Sequence, residues 1–198
     1  MSAVKQRIFS GVQPSGGLHI GNYLGALKQW VDTQYDFDNL FCVVDLHALT
    51  VPEDVDPETL RAKSREVAAL YLACGIDPET SCVFIQSHVR EHSELAWVLN
   101  CVTPLGWLHR MTQYKSKSEA RDSVSTALLD YPVLQAADIL LYDTHVVPVG
   151  QDQKQHIELA RDIALRFNHL FGETFVVPQP RLPTVGARVM GFDEPEHK

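Results

Sequence analysis

Three short segments carry residues whose types and spacing could do chemistry. In GVQPSGGLHIGNYLGA (11–26), Arg7–Val12 reads as a strand and Gln13–Gly17 as a Pro/Gly loop. His19, Gly21 and Asn22 then stand at the mouth of a helix. Such a loop lets backbone N–H groups approach an anion, and the helix N-terminus behind it favours negative charge. His19 and Asn22, one turn apart, add side-chain donors for phosphate oxygens. The same glycines also serve a plain strand–helix turn, and the loop alone does not choose between the two readings. The segment VPVGQDQKQH (147–156) repeats the logic: a strand, Gly150, the polar residues Gln151, Asp152 and Gln153, then a helix. Here Asp152 and Gln153 suit a ribose or amino group, and a helix cap by Asp152 is the alternative.

The third segment, YPVLQAADILLY (131–142), holds a lone acid among apolar neighbours. An unpaired buried charge is expensive, so Asp138 requires a partner. That partner is either a structural one, backbone or an arginine, or a ligand N–H or O–H. Tyr131 and Gln135 share a helix face with Asp138 by their spacing. Lys115 and Lys117 in MTQYKSKSEA (111–120) are point charges suited to phosphates or to a solvated surface. Two further strings are set aside. HVREH (88–92) spells the inverted zinc-protease pattern, but it leaves a strand through a polar turn instead of lying on one helix face. The KSKS of 115–118 stands too early in the order of elements for a terminal ATP loop.

These residues need a scaffold, and the pattern supplies alternating strands and helices. Strands are expected at Arg7–Val12, Leu40–Leu46, Cys82–Gln86 and His145–Val149. Helices are expected at Tyr23–Tyr35, Pro57–Cys74 with Gly75 as its stop, His92–Val102, Leu105–Gln113, Ser123–Tyr142 with a bend at Pro132, and Gln155–Phe171. The tail from Phe175 reads as irregular. This alternation predicts right-handed βαβ units and an α/β fold with a mostly parallel sheet covered on both faces. Ligands of such sheets bind beyond the C-terminal strand ends, so both glycine turns should face one crevice.

The bulk properties fit that frame. At 198 residues, 45% hydrophobic and 21% charged, the chain can bury a substantial core. A net charge of −8 disfavours unspecific nucleic-acid binding. No apolar run approaches the length of a membrane span and no secretory signal is visible, so no membrane association and a cytoplasmic location are expected. Cys42, Cys74, Cys82 and Cys101 lie in apolar surroundings without a CxxC pair and are expected reduced and buried.

Taken together, IFSGVQPSGGLHIGNYLGAL, YPVLQAADILLY and VPVGQDQKQHIELARDIALRFN resemble the bacterial-type tryptophanyl-tRNA synthetases, a class I aminoacyl-tRNA synthetase family. The resemblance covers nearly the whole chain. It implies a catalytic domain of the Rossmann type, an α/β fold with a doubly wound parallel sheet, that activates L-tryptophan with ATP and Mg²⁺ to the adenylate and transfers it to tRNA(Trp), as a homodimer. His19-Ile20-Gly21-Asn22 matches the HIGH-type signature, with asparagine in the last place. By resemblance, Gln13, Pro14, Ser15, Gly21 and Asn22 line the ATP site, Gly150, Gln151 and Asp152 form its second segment, and Val189 lies near adenine. His19, Asn22 and Lys115 are the implied catalytic residues, with His19, the helix N-terminus, Lys115 and Mg²⁺ sharing the triphosphate charge, and Lys198 is assigned to ATP. Asp138 reads the indole N–H, Tyr131 and Gln153 lie near the α-amino group, and His47 and Val149 line the amino-acid pocket. No resident protein-bound metal is implied.

The family's second signature, KMSKS, is expected after GARVMGFDEPEHK, and the sequence ends at Lys198, its first letter. Residues 1–198 therefore read as the catalytic domain, incomplete at its C-terminus, without the anticodon-binding domain. A tyrosyl-type ligase shares the fold and also sets an aspartate against its ligand. Another HIGH-type nucleotidyltransferase, and a catalytically silent piece that binds ATP or tryptophan, are the remaining alternatives.

Overall fold

Alternation of buried side chains along the short apolar runs dictates a sheet with two covered faces. In the computed structural model, residues 5–15, 23–114 and 124–182 are described. Five strands, β1 (Arg7–Val12), β2 (Asp38–Val43), β3 (Ser81–Ile85), β4 (Val146–Pro148) and β5 (Gln179–Arg181), form one sheet in the order β3-β2-β1-β4-β5. Every pairing is parallel. The six main helices among the described residues are α1 (Lys28–Thr33, entered through a π-type turn at Tyr23–Leu27), α2 (Pro57–Ala73), α3 (Glu91–Asn100), α4 (Leu105–Leu108), α5 (Thr126–Leu140) and α6 (Lys154–Phe171). None of the described helices is long and apolar enough to cross a membrane.

Phe41 and Val43 of β2 join Leu27 and Trp30, Val67 and Tyr71 of α2, and Ile76 in one core layer. Cys42, one residue out of phase, joins Phe9, Val147 and the inner faces of α3, α5 and α6 in the other. The expected inward stripe Ile157, Ala160, Ile163 and Ala164 on α6 is buried. Ser125 caps α5 by accepting from Leu128 N, and its hydroxyl donates to Thr50 O at 2.9 Å, which ties the helix entry to the Asp45–Thr50 turn. Gly75 ends α2 at φ +107°, a value that glycine alone tolerates without strain.

Several boundaries differ from the sequence expectation. The second strand begins at Asp38 and ends at Val43, and Asp45–Thr50 winds into 3₁₀ turns instead of continuing it. Hydrogen bonds to the turn after β3 hold the chain there. Asp45 accepts from Ser87 N and Oγ at 2.9 and 2.6 Å, and Gln86 Oε1 accepts from Leu46 N at 3.0 Å. The helix expected over Leu105–Gln113 is interrupted: α4 ends at Leu108, helix resumes at residue 112, and Gln155 Oε1 holds Thr112 there through both its N and Oγ1. The tail expected to be irregular contributes an edge strand, where Pro180 is compatible because β5 pairs on one side only. Helix α5 runs through Pro132 without interruption. All four cysteines are free as expected, but Cys82 and Cys101 are exposed, because neighbouring apolar residues in the chain do not guarantee an inward direction.

One tyrosine from α2 pins the C-terminal ends of the two central strands. The hydroxyl of fully buried Tyr71 accepts from Val12 N and donates to Cys42 O, both at 3.1 Å. Tyr71→Phe keeps the ring contacts but leaves both backbone groups without this partner. We expect it to lower stability by about 1–3 kcal/mol in urea unfolding, and an unchanged midpoint would show that the bridge contributes nothing.

Candidate active site

The strand order reverses direction at β1. The chain proceeds outward from β1 to β2 and β3, then returns to place β4 on β1's other side. Such a switch point leaves a crevice at the C-terminal strand ends, because neighbouring connections depart to opposite faces of the sheet. A cavity of about 510 Å³ opens there, within the range of roughly 300–1,000 Å³ usual for small-molecule sites. Its walls are β1 and the turn after it (Phe9 to Gln13, and Ser15), β4 and the turn after it (Val147 to Gly150, and Gln153), and one face of α5. Gly11 is required at this wall, since a Cβ there would stand 2.8 Å from Val44 Cγ1 and 3.2 Å from Cys42 O.

Tyr131, Gln135 and Asp138 all line the cavity, as their common helix face demands. Asp138 is 1% exposed and lies at the centre of a network. Its Oδ1 accepts from Gln86 Nε2 at 2.6 Å and from His92 Nδ1 at 2.7 Å. Its Oδ2 accepts from His47 Nε2 at 2.8 Å. Burial by itself would raise the carboxyl pKa, but the hydrogen bonds from His47 and His92 outweigh it and hold the group below its ordinary value. The charged form is thus the one this pocket is built for. Each carboxylate oxygen has two acceptor positions, so Oδ1 is filled and Oδ2 retains one.

The remaining polar groups are arranged around that acid. His47 lines the cavity and meets the Tyr131 ring edge-on, with centroids 6.4 Å apart. Tyr131 Oη donates to Gln113 Oε1 at 3.2 Å and lies 2.9 Å from His156 Nε2. Burial pushes its phenol up to about 12, so it stays protonated. Gln153, at the start of α6, faces the same space as Gln13 and Ser15.

The structure brings together Gln13, Ser15, His47, Tyr131, Asp138, Val149, Gly150 and Gln153 around one cavity. Pro14 is buried within the first turn, and Gln151 belongs to the second. Asp152 is exposed and does not line the cavity. The cap position of α6 falls to Gln153, without a side-chain cap hydrogen bond, so the capping alternative for Asp152 does not hold. His19, Gly21, Asn22, Lys115, Val189 and Lys198 lie outside the described residues. His88 stands in a 3₁₀ turn and His92 at the start of α3, so HVREH does not share one helix.

Sequence reasoning missed the partners of Asp138. Gln86, His92 and, one step further, Tyr142 hold it, where a backbone group or an arginine was the structural expectation. The need for a partner was readable from burial of charge. Its identity was not, because Gln86 and His92 come from β3's exit and α3, far away in sequence.

The chain matches the family of class I tRNA synthetases (W and Y) over residues 1–196. It is 60% identical over 193 residues to a tryptophan–tRNA ligase of Caldanaerobacter subterraneus subsp. tengcongensis, covering 98% of this chain and 58% of that protein. A tryptophan–tRNA ligase of Wolinella succinogenes is 56% identical over 196 residues, covering 98% of this chain and 59% of that protein. The crystal structure of Campylobacter jejuni tryptophanyl-tRNA synthetase complexed with ADP and tryptophan superposes with a TM-score of 0.88 at 48% identity, over 94% of this chain and 58% of that one. The chain thus spans well under two thirds of the length of these relatives. A parallel sheet with its pocket at the switch point, a HIGH-type signature in the sequence after β1 and this similarity along almost every residue lead to one conclusion: the chain belongs to the class I tRNA synthetase family that includes the tryptophan and tyrosine enzymes.

Proposed function

We propose that this chain is the catalytic part of a tryptophan–tRNA ligase, activating L-tryptophan with ATP and passing it to tRNA(Trp). The observation that carries this reading is the remaining acceptor position on Asp138 Oδ2. It belongs to a buried, ionised acid in the wall of a cavity whose other walls are two strand-end turns. An indole N–H supplies the donor that this oxygen lacks. A phenyl ring does not, so phenylalanine would leave a desolvated charge under-satisfied. The names of the relatives favour tryptophan over tyrosine.

In this reading the tryptophan carboxylate attacks the α-phosphorus of ATP in line, forming tryptophanyl-adenylate and releasing pyrophosphate. The terminal ribose hydroxyl of tRNA then attacks the activated carbonyl and AMP leaves. Positioning and charge placement carry such chemistry, and the protein forms no covalent bond with the substrate. Gln13, Pro14 and Ser15 on one side and Gly150, Gln151 and Asp152 on the other are assigned to ATP, with the N-terminus of α6 behind the second turn. By family membership His19, Gly21, Asn22, Lys115 and Lys198 serve the triphosphate and Val189 the adenine. Tyr131 and Gln153 are assigned to the α-amino group, and His47 and Val149 to the walls of the amino-acid pocket.

Among the described residues no cluster of three histidine, cysteine or carboxylate ligands is placed to hold a cation. The Mg²⁺ of the proposal would be brought in on the triphosphate of ATP. A homodimer in the cytoplasm is the setting that the family supports.

The decisive assay is tryptophan-dependent exchange of pyrophosphate into ATP. We expect exchange with tryptophan and none with tyrosine. Exchange driven by tyrosine would overturn the assignment, and binding of tryptophan and ATP without exchange would make the chain a silent binding unit.

Asp138→Asn tests the specificity reading. The introduced amide can keep its oxygen toward Gln86 and His92 while presenting N–H where Oδ2 stood. Asp138→Ala would instead strand three buried donors. The amide variant is expected to lose about ten- to a hundredfold in tryptophan affinity, the range for a hydrogen bond to a charged group, and to discriminate poorly against phenylalanine. Selectivity equal to wild type in competition binding would refute the role of Asp138.

A further inference from the structure

Behind the cavity wall lies a second layer that touches no ligand-facing space. His92 is fully buried, and both its ring nitrogens are engaged. Nδ1 lies 2.7 Å from Asp138 Oδ1 and Nε2 lies 2.8 Å from the Tyr142 hydroxyl. Neither His92 nor Tyr142 lines the cavity. The proton on Nδ1 follows from valence. A carboxylate only accepts, so Nδ1 carries a proton and donates to Oδ1. In the tautomer that leaves Nε2 bare, Nε2 accepts and Tyr142 O–H donates to it. Burial pushes the Tyr142 phenol well above its ordinary value, which keeps it a donor.

The ring of Tyr142 is itself fixed. It stacks on Phe9 at 5.9 Å with an interplanar angle of 11° and meets Phe84 at 5.5 Å. Phe9 lines the cavity, so the same aromatic packing that shapes the pocket orients the relay behind it. Gln86 is also fixed, since its Oε1 accepts from Leu46 N while its Nε2 donates to Asp138. The two donors on Oδ1 come from separate elements, α3 and the 3₁₀ turn after β3. With both acceptor positions of Oδ1 occupied, rotation of the carboxylate is blocked.

We infer that His92, locked in one tautomer by Tyr142, is a positioning residue for substrate specificity. It anchors Oδ1 of Asp138 so that the spare acceptor on Oδ2 points into the cavity. This inference rests on the reading of Asp138 as the acceptor for a ring N–H. His92 acts through that acid and contributes nothing to binding of ligands that lack the donor.

The test compares two ligands in the full chain by calorimetry: L-tryptophan and its isostere L-3-(benzothiophen-3-yl)alanine, in which sulfur replaces the ring N–H. Wild type should prefer tryptophan by about tenfold or more, the value expected for one charge-assisted hydrogen bond. His92→Leu should abolish that preference by weakening tryptophan alone, with affinity for the sulfur analogue unchanged. His92→Asn, whose amide N–H can take the place of Nδ1–H, should restore most of the preference, and Tyr142→Phe should fall between. An equal loss for both ligands would make His92 a general support of the pocket and overturn the inference, as would an unchanged ratio in His92→Leu. If His92→Leu does not fold, a wild-type ratio in Tyr142→Phe overturns it instead. A wild-type protein that binds both ligands equally would defeat the underlying reading of Asp138, and the inference with it.

Discussion

A single ionised carboxylate, removed from water and surrounded by donors, constrains the rest of this molecule. Asp138 sits on α5, yet its three donors come from the turn after β2, the turn after β3 and the start of α3. An unpartnered charge at this depth would be neutralised or would destabilise the fold. The three segments must therefore arrive together, and their arrival sets the shape of the pocket wall. Asp45 and Gln86 clamp the first two segments to each other, so the donors form a rigid collar.

The sheet makes that collar possible. Parallel strands deliver their C-terminal turns to one edge, and the reversal of strand order at β1 keeps those turns apart. Helix α5 lies against this edge with Tyr131, Gln135 and Asp138 facing the gap. Tyr71 holds the ends of β1 and β2 from the opposite face. A cavity between fixed strand ends suits a reaction in which two substrates must meet at a fixed angle, since orientation then replaces covalent participation by the protein.

The pocket divides its chemistry between its walls. Gln13, Ser15, Gly150 and Gln153 of the two turns line the cavity, and the proposed function gives them the anionic, well-hydrated ligand. The wall of α5 offers an aromatic hydroxyl and a desolvated acid, suited to an apolar body with one polar atom. Low dielectric around Asp138 strengthens a correct hydrogen bond and penalises a missing one, which is why the proposed function places selectivity at this buried acid.

Much of this was written in local sequence. The apolar runs of β1 and β3, the inward stripe of α6, the stop at Gly75 and the shared face of Tyr131, Gln135 and Asp138 follow from periodicity and backbone chemistry, which act over a few residues. Local pattern also demanded that Asp138 find partners. It failed where distant segments were tied together, as Gln86 Oε1 captures Leu46 N and the Asp45 carboxylate captures Ser87 N, and where an edge position tolerated Pro180 in a strand. Only the tertiary structure decided that His47, Gln86 and His92 would be the donors, that Tyr142 would stand behind one of them, and that one acceptor position on Oδ2 would remain. The physical reason is that hydrogen-bond satisfaction inside a core is a property of neighbours in space, and residues 47, 86, 92 and 138 become neighbours only when the sheet has closed around them.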